Sequence, residues 1–237
     1  MSDRLALCAL VGAVPPTMVD DAVLAAGVAA ERVRTLPPWV TTYHVLGSAM
    51  SPRATYDDVT DLVWTTLPAA TGRGLSRQRP TRGAITRARS RLGADPLAAL
   101  LSRMAPAAPE VEPISTVYLH RFQAVGVPGL WWITCPDTGA LRGCDARDDS
   151  LDTAVRLLRS AGVSHVTVDL PVGVGASLQQ QLGADVRIET GRSTAAHGAW
   201  WLGLRARTSA GWRQEALARA CVIAAWERAS RIAQSMS

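Results

Sequence analysis

Seven arginines fall within residues 73–91 of this 237-residue chain, and no acidic residue occurs between Asp61 and Asp95. Guanidinium groups at this density can bind successive phosphates and displace their condensed counterions. Arg73, Arg77, Arg79, Arg82, Arg87, Arg89 and Arg91 are therefore the candidate contacts to double-stranded DNA. The plain alternative is a solvated, Arg-rich loop and helix. All 25 basic residues are Arg and none is Lys, so part of the local excess follows from how the whole chain is written.

Other chemistry-bearing residues are scattered. Cys8, Cys135, Cys144 and Cys221 form no CxxC pair, and His44, His120, His165 and His197 stand alone, so neither a His/Cys metal site nor a disulfide framework is expected. There is no GxGxxG, no P-loop and no nucleophile elbow, and no cofactor is implied by these motifs. Trp131–Trp132 and Trp200–Trp201 could stack on bases, but tandem Trp within a strand more often sends one ring inward and the other to an interface.

The elements that must position the arginines are legible from punctuation. Residues 80–104, PTRGAITRARSRLGADPLAALLSRM, read as two helices: Thr81 caps the first, Gly93 ends it, Asp95 caps the second and Pro96 fits its first turn. On the first, Ile85, Ala88 and Leu92 share one face, while Arg87, Ser90 and Arg91 share the opposite one. Arg82 and Arg89 lie nearer the apolar flank, where packing or an internal ion pair competes with ligand contact.

Upstream, Thr17 and Asp20 occupy capping-box positions before a helix that Gly27 stops. Pro37 and Pro38 open an apolar helix, WVTTYHVLGSAM, and Thr55 with Asp58 repeats the capping pattern before YDDVTDLVWTTL, which Pro68 is expected to end. Residues 1–106 thus read as an all-α domain of five helices that folds alone. The Pro- and Ala-rich stretch around APEVEP marks a boundary. Residues 114–237 then read as three strands, helix, strand, helix, strand and a final helix, an α/β layer with a parallel crossover. The whole is α+β.

Near-half apolar composition describes a globular chain, and the net charge of +5 permits an acidic partner without requiring one. The apolar run from Leu5 to Val14 lacks a convincing signal-peptide flank or cleavage site, and no run has transmembrane length. A cytoplasmic, nucleoid-associated protein with no membrane partner is expected, with homo-oligomerisation left open.

The stretches VPPTMVDDAVLAAG, LPPWVTTYHVLGSAM, YDDVTDLVW and PTRGAITRARSRLGADPLAALLSRMA, in this order and spacing, resemble the N-terminal domain of the insertion-sequence-four family of DDE transposases. LWWITCPDTGALRGCDA through LDTAVRLLRSAGVSHVTVDLPVGV to LGADVRIETGRS looks like a shortened version of that family's ribonuclease-H-like core, and the last 30 or so residues look like its C-terminal helix. The resemblance implies that Asp169 stands where the family keeps its second catalytic aspartate. The family uses three carboxylates to hold two divalent metals for phosphodiester cleavage and strand transfer. Here the first core strand reads VYLHRFQ without the family's Asp-Gly, and the Tyr, Arg, Glu and Lys motif that carries the glutamate is absent, since the chain has no Lys.

Three functions follow. The first is a transposase-derived DNA-binding protein without catalysis, either a domesticated regulator or a remnant. The second is an active strand-transfer enzyme using Mg²⁺, with Asp169 joined by one of Asp145, Asp148, Asp149, Glu189 and Glu215. The third is an acetyltransferase-like C-terminal domain, suggested by the order of RLLRSAGVSHVTVDLP and SLQQQLGADVRIE. Three antiparallel strands followed by parallel additions would favour the nuclease core over a splayed acyltransferase pair.

Overall fold

A computed structural model describes residues 3–28, 36–104, 116–122, 129–136, 140–168, 170–191, 204, 206 and 208–235. The first helices are α1 (Asp3–Ala13), α2 (Pro16–Ala25), α3 (Pro38–Met50), α4 (Tyr56–Thr71), α5 (Arg82–Leu92) and α6 (Asp95–Met104). The apolar run near the start is thus itself a helix, α1, a sixth where the sequence reading had five. Its Leu7 and Leu10 are fully buried.

The local signals account for most of the ends. Thr55 and Asp58 form the reciprocal capping box of α4, and the Thr81 hydroxyl accepts the Ala84 N–H at the start of α5. Three readings need correction. Asp95 does not precede α6 but is its first residue, and the Ala94 carbonyl accepts the Leu97 and Ala98 N–H groups. Residue Pro15, with no side-chain cap, precedes α2, so Thr17 lies inside the first turn and does not cap it. Pro at the first helical position needs no N–H and already has helical φ. Pro68 does not end α4 but lies within it, where, lacking an N–H, it cannot donate to the Trp64 carbonyl one turn back. The Thr71 hydroxyl donates to the Leu67 carbonyl at 2.7 Å and the Gly72 N–H to Pro68 at 3.0 Å. Gly72, at φ 67, is the actual stop, in a conformation that side chains resist.

The second group of elements is β1 (Thr116–Phe122), β2 (Leu130–Thr134), β3 (Leu141–Asp145), α7 (Leu151–Ala161), β4 (His165–Val168), α8 (Val172–Leu182) and β5 (Arg187–Thr190). They form one mixed sheet in the order β3-β2-β1-β4-β5. Strands β1, β2 and β3 are antiparallel neighbours, whereas β4 is parallel to β1 and β5 parallel to β4, with Leu119 beside Val168 and Val168 beside Thr190. Period-2 alternation sends Val117, Leu119, Trp131, Ile133, Val166 and Val168 to one face, where they bury against Ala154, Leu157, Leu158 and Leu178 of α7 and α8. Gly143 leaves room for α7 there: a Cβ would come within 2.9 Å of Leu157 Cδ1 and push that side chain aside. The helix expected between the last two strands is α8, which takes in the GVGASLQQQL run. Its Gln179 amide donates to the Gly183 and Val186 carbonyls and accepts from the Ile188 N–H, tying the loop before β5 to the helix.

The last helix is α9 (Ser209–Ser235). By internal contacts the chain divides into one unit of Met1–Met104 with Leu217–Ser237 and another of Ala105–Ala216. The break after Met104 lies near the sequence boundary at 106, but most of α9 is grouped with the first unit, where the sequence reading gave it to residues 114–237. Leu217, Cys221, Val222 and Ile223 are buried, and the Cys221 thiol lies 3.3 Å from the Leu97 carbonyl on α6. The architecture is α+β: a helical region, a mixed five-stranded sheet with helices, and a C-terminal helix. Among the described residues no single helix is long and apolar enough to cross a membrane.

Candidate nucleic-acid interface

Helix α5 packs on α3 through buried Ile85, Ala88 and Leu92, leaving Gly83, Thr86, Arg87, Ser90 and Arg91 as an exposed stripe. The segment leading into it returns antiparallel alongside α4, held at three successive points. The Trp64 indole N–H donates to the Ser76 carbonyl at 3.0 Å, Arg79 pairs with Asp61, and Arg82 pairs with Asp57 at 2.6 Å. Arg73, at the start of this segment, pairs with Asp20 at 2.7 Å and lies 5.3 Å from the Trp39 ring centre.

The seven arginines therefore separate into three kinds. Arg73, Arg79 and Arg82 are each matched by a carboxylate from elsewhere in the same unit. Arg89 is buried at 9% exposure, and its Nη1 donates to the Tyr56 hydroxyl at 2.8 Å with the guanidinium over the Tyr56 ring. Tyr56 also stacks on buried His44, whose Nε2 lies 3.2 Å from the Thr60 hydroxyl. Burial, with the Arg89 charge second, lowers the His44 pKa to about 4. Arg89 thus belongs to an Arg–Tyr–His stack that seats α5 against α3 and α4. Arg77, Arg87 and Arg91 are exposed and carry no ion pair among the described residues. Sequence reading missed the compensating acids because Asp20, Asp57 and Asp61 lie upstream of the acid-free stretch. Only the i, i+4 spacing of Asp57 and Asp61 hinted at a shared face on α4.

In the second unit, Asp169 lies outside the described residues, as do Trp200 and Trp201. The five other candidate acids are engaged. Asp145 pairs with Arg147 and Arg156 at 3.4 and 3.5 Å, and Asp149 with Arg121 at 2.5 Å. Asp148 accepts the Ser150 and Thr153 hydroxyls, which hold its carboxyl below the usual range, Ser150 first. Glu189 pairs with His165 and Arg187, and Glu215 accepts the Ala206 N–H. Among the described residues no three His, Cys, Asp or Glu side chains gather as metal ligands. Trp131 and Trp132 are both buried, the first in the helix-covered core and the second stacked on His120 at 4.9 Å, so neither ring is exposed to a base.

Residues 4–102, less than half of the chain, match the family model of the insertion element 4 transposase N-terminal region. No curated protein and no solved structure matches. The matched stretch contains all seven arginines, the three acids that pair with them and the Arg–Tyr–His stack. Over its N-terminal helices the chain is therefore related to the insertion element 4 transposases.

Proposed function

We propose that this chain is a transposase-derived protein that binds duplex DNA through Arg77, Arg87 and Arg91 and does not cleave it. The observation that carries the reading is the outward placement of these three arginines, without ion pairs among the described residues, on α5 and its lead-in within the family-matched stretch. Such contacts fix a protein on phosphates and carry no base specificity by themselves.

The order β3-β2-β1-β4-β5, an antiparallel meander extended by two parallel strands, supports a ribonuclease-H-like second unit. The continuous four-residue pairing of β4 with β5 is not the splayed pair of an acyltransferase. The donors described do not fit the family's two-metal chemistry, which needs carboxylates around ions about 4 Å apart. Asp145 and Glu189 end up on the two edge strands, four strand spacings or roughly 19 Å from each other. Strand β1 has no carboxylate. Its His120, one residue beyond the Leu119 and Val168 pair, stacks on Trp132 and hydrogen-bonds Thr134 at 2.9 Å.

A gel-shift of the full chain on duplexes from its own chromosomal neighbourhood tests the binding half, and plasmid nicking with Mg²⁺ or Mn²⁺ tests the other. A shift without nicks is expected. No shift defeats the first half, and metal-dependent nicking abolished by Asp169→Ala defeats the second.

A further inference from the structure

We propose that Asp57 and Asp61 form an electrostatic latch, a stand-in for two DNA phosphates, that holds Arg82 and Arg79 until the duplex replaces it. This rests on the DNA-binding reading above and extends the contact surface from three arginines to five. The two acids lie one turn apart on α4, with Arg79 on the segment that returns beside it and Arg82 three residues on, at the first residue of α5. The four side chains are between 52% and 66% exposed, so each pair is bathed in solvent and worth little by itself. A phosphate approaching Arg77 and Arg87 would arrive next to both pairs in the sequence. Exchanging a solvated carboxylate for a phosphate keeps the charge-assisted hydrogen bonds of the guanidinium and adds the entropy of the released counterions. Arg73 differs, because its pair with Asp20 is less exposed and its guanidinium is also held over Trp39, so it stays with the protein. Trp64, donating to the Ser76 carbonyl, keeps the segment in place while the latch opens.

The test uses the full chain and a fluorescein-labelled duplex, with affinity followed by anisotropy over a range of salt concentrations. Arg79→Ala with Arg82→Ala should lower the slope of log affinity against log salt by about two. Asp57→Asn with Asp61→Asn should tighten binding roughly fivefold at fixed salt, as the competing pairs are lost, and leave the slope unchanged. The gain should vanish when all four substitutions are combined, which separates the latch from a general loss of negative charge. Thermal melts establish that each variant is folded. A slope untouched by the arginine pair, an affinity untouched by the acid pair, or a gain that persists in the quadruple variant overturns the latch. If the wild-type chain binds no duplex, the latch and the DNA-binding reading fall together. If it binds and Arg87 and Arg91 carry the slope alone, only the latch falls.

Discussion

Replacing Arg87 and Arg91 together by Ala should weaken DNA binding in a way that salt reveals. The two residues are four apart on α5, about 6 Å along the helix axis, far enough to meet different phosphates. Both side chains project from the face opposite Ile85, Ala88 and Leu92, so their removal leaves the packing of α5 on α3 intact. Each phosphate contact contributes about 0.9 to the slope of log affinity against log salt, so the double variant should lose about 1.8. At an ionic strength of about 0.1 M that corresponds to roughly 60-fold in affinity, or about 2.5 kcal/mol. Anisotropy titrations of a labelled duplex between about 50 and 200 mM salt read the slope directly. Arg89→Ala is the internal control. Its guanidinium is buried against Tyr56, so the substitution should cost about 1–2 kcal/mol of stability and lower Tm. An unchanged slope in a folded Arg87→Ala, Arg91→Ala variant would return both arginines to a solvated face and place the DNA surface elsewhere.

Three further outcomes follow from the packing. The fold keeps His44 neutral down to about pH 4, whereas an unfolded imidazole titrates near 6.5, so the unfolded chain binds this proton more readily; stability is complete above about pH 6.5 and falls by about 3 kcal/mol as pH drops to 4. Denaturant titrations of His44→Gln should lack that component, and an identical pH profile would contradict it. A fragment of residues 1–106 leaves out the buried Leu217, Cys221, Val222 and Ile223, and should melt below the full chain, with an added peptide of residues 209–235 raising its Tm; no response to the peptide would show that α9 is dispensable. Gln179→Ala removes the bonds to the exposed Gly183 carbonyl and to the half-buried Val186 carbonyl and Ile188 N–H, and should cost about 1–2 kcal/mol in urea unfolding, whereas a change within error would mean water replaces the amide.

The elements were legible wherever one local signal was enough. Thr81 and Gly93 bracket α5, Thr55 and Asp58 open α4, and the alternation of Val117 with Leu119 and of Trp131 with Ile133 marks the strands. The failures came where position along an element decides the outcome. Pro68 lies inside α4 and the turn after it still closes through Thr71 and Gly72, and Pro15–Pro16 starts α2 without a side-chain cap. The candidate interface was half legible: helical spacing alone separates Arg87 and Arg91 from the buried face. The fates of Arg73, Arg79, Arg82 and Arg89 depend on Asp20, Asp61, Asp57 and Tyr56, 53, 18, 25 and 33 residues away. No local pattern encodes the return of the lead-in segment along α4 that brings two of these pairs together.

Binding of duplex DNA by the full chain, with the DNA left intact, is the central property. An end-labelled duplex, titrated with the protein in Mn²⁺ and followed by anisotropy, can be recovered from the same samples and run on a denaturing gel. Saturable binding that weakens steeply with salt, with both strands at full length, is expected. Binding absent at low salt, or labelled strands shortened in proportion to bound protein, would contradict it.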